Sequence, residues 1–250
     1  MAITGAELRR LEAATISSWP SITSALDGAW LARLARGFTK RANSVQCLDP
    51  ADDGEAGARL GRMVDLFLLN DREPLFRVTP LAGPGVLAAL DADGWESFEE
   101  SRVLVMPLDA DFEELAPARL SDATDRNWLE AVAALAGLDR RSQELLGLIV
   151  GLIAHRQAGI VIRDAAGDPA AAALAVDAAG VGVYHNVVVR PDLRGQGLGR
   201  AVMQAALAWT RSVGASEGAI QVVSTNAPAV NLYTSLGFKE AYRYHYRRPR

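Results

Sequence analysis

Val187-Val188-Val189-Arg190-Pro191-Asp192-Leu193-Arg194-Gly195-Gln196-Gly197-Leu198-Gly199-Arg200 is the stretch on which the reading of this chain turns. An apolar run ends in a glycine-rich turn. A second segment follows at once, in which Leu198, Val202, Met203, Ala206, Leu207 and Trp209 recur at helical spacing. The pattern predicts a strand, a tight turn and a helix. Glycines at 195, 197 and 199 lack a Cβ, so the backbone turns sharply and a ligand comes close to it. The first N–H groups of a helix have no partner inside the helix, and with the helix dipole they favour an anion such as a phosphate. The segment reads as a cradle for a pyrophosphate.

A glycine-rich turn is shared by several kinds of site. A dinucleotide fold has Gly-x-Gly-x-x-Gly after its first strand; here the spacing is Gly-x-Gly-x-Gly, late in the chain. A nucleoside-triphosphate loop has Gly-Lys-Ser/Thr, which the chain lacks here. A turn without any ligand stays open on these residues alone. A second motif lies downstream: Asn226-Ala-Pro-Ala229-Val-Asn-Leu232-Tyr233-Thr-Ser-Leu-Gly237-Phe238. Together, Arg194-Gly-Gln-Gly197-Leu-Gly199 and this second stretch resemble the two signatures of the GCN5-related N-acetyltransferases (GNAT). They come in the family's order, with a helix and a strand (219–224) between them. The resemblance covers roughly residues 101–250.

It implies an α/β (α+β) fold with a mixed, mostly antiparallel central sheet flanked by helices. It also implies acetyl-CoA, bound where two parallel strands, 182–189 and 219–224, part. On that analogy the main chain of Val187, Val188 and Val189 pairs with the pantetheine arm. Backbone N–H groups of Val189 and of Gly195, Gln196, Gly197, Leu198, Gly199 and Arg200 hold the pyrophosphate, with Arg194 and Arg200 as further candidates. The N–H of Val187 polarises the thioester carbonyl. Asn226 anchors the pantetheine arm, or serves as a helix N-cap, or both. An amine attacks the thioester directly, without metal or covalent enzyme intermediate. Tyr233 matches the tyrosine that protonates the leaving thiolate; its ordinary pKa near 10 keeps it protonated at neutral pH. The base is open. Val183 stands where some relatives carry a glutamate. His185, two residues along, is one candidate on that face, and a water chain is the other. Tyr184 and Asn186 point the opposite way unless a bulge resets the alternation. Asn231 reads as an exposed helical residue.

Outside the motifs, residues 1–100 form a smaller α/β domain and 101–250 the acetyltransferase domain. The N-terminal part carries neither motif; the analogy with two-part family members allows a degenerate copy of the same fold, although the shared helix-and-strand rhythm is too loose to read as a duplication. Helices are predicted at 6–16, 56–69, 85–90, 128–138 and 142–155. Strands are predicted at 30–35, 38–48 (the pair joined by a hairpin turn at Arg36-Gly37), 75–79, 101–108, 159–164, 171–176 and 182–189. An acidic loop with Asp109, Asp111, Glu113 and Glu114 leads into the second domain. The tail Tyr242-Arg-Tyr-His-Tyr-Arg-Arg248 alternates at strand period and reads as a half-buried strand rather than a nucleic-acid surface. The family has one further strand after this one. That strand is absent here, or comes from the N-terminal half, or comes from a partner chain in a homodimer. Arg33, Arg36, Lys40, Arg41 and Asn43 cluster near the first hairpin; if the N-terminal part folds over the acceptor cleft, they attract a carboxylate.

Composition fits this reading. Half of the residues are hydrophobic and 22% are charged, which suits a packed core and excludes disorder. A net charge of −4 gives no general pull toward nucleic acid or a membrane. One cysteine, Cys47, permits no intrachain disulfide and fits the cytoplasm. The longest apolar stretch, residues 145–154, is half of what a membrane span needs and reads as a buried helix. Cys47, His155 and His245 form no metal-ligand pattern. The expectation is a cytoplasmic enzyme that acetylates the primary amine of a small molecule such as an amino acid. The alternatives are a peptide or protein acetyltransferase, and a CoA-binding module without catalysis.

Overall fold

Helix boundaries follow from local chemistry. Thr4 caps the first helix in a reciprocal box with Glu7, and Asp125 and Asp139 cap two later ones. The computed structural model describes residues 3–110, 112 and 116–250; Asp111, Glu113 and Glu114 of the expected acidic loop lie outside the described residues. The first half holds α1 (Gly5–Ser17), β1 (Thr23–Asp27), β2 (Trp30–Leu34), β3 (Val45–Cys47), α2 (Ala56–Leu69), β4 (Phe76–Val78), α3 (Pro84–Ala92) and β5 (Glu96–Pro107). The second half holds β6 (Ala118–Ser121), α4 (Arg126–Ala136), α5 (Arg140–Gly151), β7 (Arg156–Arg163), β8 (Pro169–Ala178), β9 (Val181–Val189), α6 (Leu198–Ser212), β10 (Glu217–Val223), α7 (Ala227–Ser235) and β11 (Lys239–Arg248).

All eleven strands form one sheet, in the order β1-β2-β3-β4-β11-β5-β10-β9-β8-β7-β6. Leaving β6 aside, the order reads the same from either end when β1, β2, β3, β4 and β5 are exchanged for β7, β8, β9, β10 and β11. The pairings obey the same exchange. β3 and β4 are parallel, as are β9 and β10, and each parallel pair is bridged by a helix. β11 runs antiparallel beside β4, and β5 antiparallel beside β10. Each half therefore lends its last strand to the other half's sheet, and β5 runs straight through position 100. The further strand that the family carries after β11 is supplied here by β5 of the N-terminal half. The repeat that is too loose to see in sequence is explicit in the topology.

Two helical layers cover the C-terminal half. α6 and α7 bury Val202, Met203, Leu207 and Tyr233 against Leu104, Met106 and Phe238 on one face. α4 and α5 bury Trp128, Val132, Leu146 and Ile149 against Leu174 and Val176 on the other, so the apolar stretch at 145–154 lies mostly in a buried helix. The alanine-rich β8 lets both layers approach, and the Trp128 indole N–H reaches the Ala173 carbonyl at 3.0 Å. In the N-terminal half, α2 and α3 pack Leu60, Met63, Phe67 and Leu90 on Trp30, Val45 and Phe76. α1 lies across the junction. Its buried Glu12 pairs with Arg77 of β4 at 2.5 Å and accepts the Tyr242 hydroxyl of β11. The aromatic tail is a half-buried strand, with Tyr242, Tyr244 and Tyr246 inside.

The first hairpin differs from expectation. β2 pairs with the earlier β1 across Gly28-Ala29, and only Val45–Cys47 of the expected strand 38–48 returns along β2. The side chain of Asn43 sets the intervening loop. Its Oδ1 accepts the N–H groups of Ala35 and Gly37, and its Nδ2 donates to the carbonyls of Phe38 and Thr39. One amide thus satisfies four main-chain groups that a strand would have left to a neighbour.

Candidate active site

β9 and β10 are in parallel register from Val181/Glu217 to Tyr184/Ile220, and there the pairing stops. Beyond that point β9 runs on through residues 185–189 and β10 through 221–223, leaving a cleft between two strands that have lost each other's hydrogen bonds. A bulge marks the parting. Asn186 takes a left-handed φ of 51°, and β9 spends one residue more than β8 between its partners for Ala172 and Leu174. Neither Asn186 nor Val187 has a register partner on β8 or β10. The bulge also resets the alternation. Tyr184, Val187 and Val189 face the α6 layer, while Val188 faces the α4 layer.

After β9 the chain passes Pro191–Leu193, a single 3₁₀ turn, and enters α6 through the glycine turn. Gly195 and Gly197 have φ of 78° and 83°, a region that other residues enter at a cost, and a Cβ at either would meet open space. Gly199 serves a different purpose, since a Cβ there would lie 3.1 Å from the Leu232 side chain of α7. The first N–H of this segment to reach back into the helix is that of Ala201, which bonds the Gly197 carbonyl at 3.0 Å. Among the described residues the N–H groups of 195–200 have no acceptor, and the turn is mostly exposed. Arg194 leans on the Val189 carbonyl, and Arg200 reaches the Ser235 hydroxyl at 2.6 Å. The turn is a row of unpartnered donors at a helix N-terminus, suited to an anion.

Tyr233 lies in α7, buried, with its ring edge-on to Phe238. Burial pushes its hydroxyl up to about 12, and the nearby Arg41 guanidinium pulls weakly the other way. Asn226 caps α7 by accepting the Ala229 N–H, and Asn231 is exposed. His185 is placed differently from what a base requires. It is buried behind β9 against the N-terminal half, 5.0 Å from the Trp19 ring, with Nε2 3.0 Å from the Ser18 hydroxyl and Nδ1 3.3 Å from an Arg41 nitrogen. A guanidinium only donates, so Nδ1 accepts from Arg41 and the ring proton sits on Nε2. Burial first, then Arg41 and Arg33, hold its pKa well below the usual histidine range. Its one lone pair is occupied and its affinity for a proton is low.

Around the far end of β10 a cavity of about 260 Å³ opens, with Gln221, Tyr244 and Tyr246 on one side and Lys40, Arg41 and Glu99 on the other. The Asn43-braced loop between β2 and β3 supplies the wall with Lys40 and Arg41. Of the basic cluster near the first hairpin, these two face the cavity. Arg33 is buried and gives its donors to the carbonyls of Ile16, Trp19 and Arg41, and Arg36 is exposed. Sequence reasoning did not single out Glu99 of β5 or Gln221 of β10, because the pairing of these two strands across the halves leaves no local pattern. Among the described residues no group of His, Cys, Asp and Glu is arranged to hold a metal ion, and no helix is long and apolar enough to cross a membrane.

These features have counterparts in known proteins. The chain is 26% identical over 255 residues to the uncharacterized N-acetyltransferase YobR of Bacillus subtilis, covering 96% of this chain and 98% of that one. In structure it is similar to a GCN5-related N-acetyltransferase from Kribbella flavida, with a TM-score of 0.73, 18% identity, and coverage of 100% of this chain and 96% of the other. It is also similar to a tandem GNAT protein from the clavulanic acid biosynthesis pathway, with a TM-score of 0.66, 17% identity, and coverage of 94% and 86%. The family model described as "Probable histone acetyltransferase Rv0428c C-terminal" matches residues 5–247, nearly the whole chain. With both motifs, the parted strands and that match in place, the chain belongs to this family and is a two-part N-acetyltransferase of the GNAT type.

Proposed function

We propose that the chain transfers the acetyl group of acetyl-CoA to the primary amine of a small molecule, by direct attack of the amine on the thioester. The observation that carries this reading is the row of unpartnered N–H groups at 195–200, set beside strands that part after Tyr184 and Ile220. Donors of that kind, on glycines whose missing Cβ atoms leave open space, fit a diphosphate. The main chain of Val187, Val188 and Val189 runs along the cleft for the pantetheine arm, and the Val187 N–H, without a register partner, is the donor for the thioester carbonyl oxygen. Bound acetyl-CoA supplies the activated acetyl group. Tyr233 gives its proton to the sulfur as the carbon–sulfur bond breaks and the carbon–nitrogen bond forms; a hydroxyl pushed up to about 12 is fully protonated at neutral pH. The amine's proton leaves to water, because His185 has no free lone pair to receive it. His185 is a positioning residue that steadies Arg41.

The cavity favours a small acceptor over a basic peptide. One wall is formed by Lys40 and Arg41 of the N-terminal half; Lys40 is paired with Glu99, and the charge of Arg41, unpaired among the described residues, repels a lysine-rich segment. Cytoplasmic residence fits a chain whose single cysteine is buried and unpaired. Calorimetry with acetyl-CoA tests the proposal. Gly197→Glu forces a side chain into a left-handed position and sets a negative charge in the cradle, so affinity falls by about a hundredfold or more. Unchanged affinity would overturn the phosphate assignment.

A further inference from the structure

Three cations approach the cavity from the N-terminal half, and two of them are satisfied within the protein. Lys40 pairs with Glu99 at 2.6 Å, and Arg33 gives its donors to three carbonyls. Arg41 has no carboxylate partner among the described residues, yet it lines the cavity. Taking Lys40 and Glu99 as a neutral pair leaves the cavity with one uncompensated positive charge, on Arg41. We infer that the acceptor amine also carries a carboxylate, as a free amino acid does, and that Arg41 binds that carboxylate. The inference rests on the acetyl-transfer reading of the cleft and adds the substrate class to it.

Arg41 is held as a receptor must be. Its carbonyl is fixed by Arg33 at 2.7 Å, its guanidinium lies 5.7 Å from the Trp19 ring centre, and one nitrogen lies 3.3 Å from His185 Nδ1. A neutral histidine orients the guanidinium and leaves its charge intact, where a carboxylate would have cancelled it. The remaining donors form a fork that matches a carboxylate. The loop that presents Arg41 is braced by the four bonds of Asn43, and the Thr39 hydroxyl accepts the Trp19 indole N–H at 2.9 Å. Two non-glycine residues on the cavity wall sit in the left-handed region, Thr39 at φ 60° and Glu99 at φ 45°. Backbone strain of this kind persists where the surroundings over-determine it, and it gathers at ligand sites. Gln221, Val222 and Val223 of β10, the strand that parts from β9, line the same cavity. A carboxylate on Arg41 therefore holds the rest of the same small molecule beside the open end of the cleft.

The test uses the full chain and begins with calorimetry of acetyl-CoA binding. Release of free CoA is then followed with the standard amino acids, each as the free acid and as its carboxamide, with polyamines and a lysine-rich peptide alongside. The free acid of the preferred residue exceeds its amide by about tenfold or more in kcat/KM, as expected for a charge-assisted hydrogen bond, and chiefly through KM. Arg41→Gln brings that ratio close to one, Arg41→Lys keeps part of it, and acetyl-CoA affinity is unchanged in both. A purely structural arginine would instead lower acid and amide turnover together and leave their ratio alone, which overturns the inference. So does a protein that binds acetyl-CoA yet turns over no free acid, or that prefers amides, polyamines or the peptide. Failure to bind acetyl-CoA at all overturns the reading of the cleft beneath it, so the two failures are told apart.

Discussion

At the end of β9 the chain turns through Gly195 and Gly197 into α6; at the corresponding end of β3 it turns through Asp52, Asp53 and Glu55 into α2. Both turns end on a left-handed N-cap residue, Gly197 in one and Glu55 in the other. The C-terminal turn keeps its N–H groups free and bears no carboxylate after Asp192. The N-terminal turn carries its own anions. Asp53 accepts the N–H groups of Gly85 and Val86 at 2.5 and 2.8 Å and so caps α3, and Asp52 pairs with Arg59 and the Ala29 N–H. α3 and α7 are equally long, and the seventh residue is Leu90 in one and Tyr233 in the other. The connection between the second and third strands is Ala179-Gly180 alone in the C-terminal half and residues 35–44 in the N-terminal half, where it reaches the other half's cavity. The two halves thus share one topology and differ at the turn: the C-terminal half leaves its N–H groups free there, and the N-terminal half places carboxylates there and sets a longer loop against the other half's cavity.

Because each half lends a strand to the other, the two should not unfold separately. Far-ultraviolet circular dichroism and tryptophan fluorescence are expected to report one coincident denaturant transition. Glu12→Ala should cost the most, about 3–5 kcal/mol, since it strips Arg77 of a buried partner at the junction of α1, β4 and β11. The midpoint should fall at constant slope. A second transition, with one half melting first, would break the picture of a shared sheet.

The next effect separates the copies by chemistry. Tyr233→Phe removes the hydroxyl that Leu90 also lacks and keeps the ring against Phe238. Turnover should drop by about a hundredfold or more, with acetyl-CoA affinity unchanged, if the hydroxyl supplies the sulfur's proton. Equal turnover would leave Tyr233 a core residue like its counterpart. A smaller effect belongs to the other turn. Asp53→Ala uncaps α3 and should lower stability by about 1–2 kcal/mol without touching acetyl-CoA affinity, since the neighbouring Asp52 and Glu55 still disfavour a diphosphate at that turn. A loss of affinity would mean that the N-terminal turn takes part in binding.

Much of the C-terminal half was legible because its information is local. The glycine turn, the Asn226-to-Phe238 motif and the apolar periods of α4 to α7 are all contiguous in sequence. The N-terminal half hid its kinship in substitution: Leu90-x-x-x-Gly94-Trp95 repeats Tyr233-x-x-x-Gly237-Phe238, and Gly94 and Gly237 share a positive φ, but the register emerges only from the topology. β1 was missed because Thr23–Asp27 is an exposed edge with no buried alternation, and the loop after β2 was misread because one buried amide, Asn43, organises it. The strand exchange and the burial of His185 beneath Ser18 and Trp19 are contacts between residues far apart in the chain, on which periodicity is silent.

That burial makes the smallest of the predicted effects and joins the two halves again. His185 is neutral in the folded protein at pH values where an unfolded histidine already takes up a proton, near 6.5. The unfolded state then binds more protons, so stability present above about pH 7 is lost as the pH falls through that value. At pH 6 the loss from this one group is on the order of 1 kcal/mol. His245, half-buried and also shifted down, adds in the same direction, while the ion-paired carboxylates act only at lower pH. His185→Gln isolates the term, because an amide keeps a donor for Ser18 and an acceptor for Arg41. The difference between wild-type and variant stability should narrow as the pH drops from 7.5 to 5.5. Parallel curves would mean that His185 meets solvent when the protein is folded, and that the N-terminal half does not seal the back of β9.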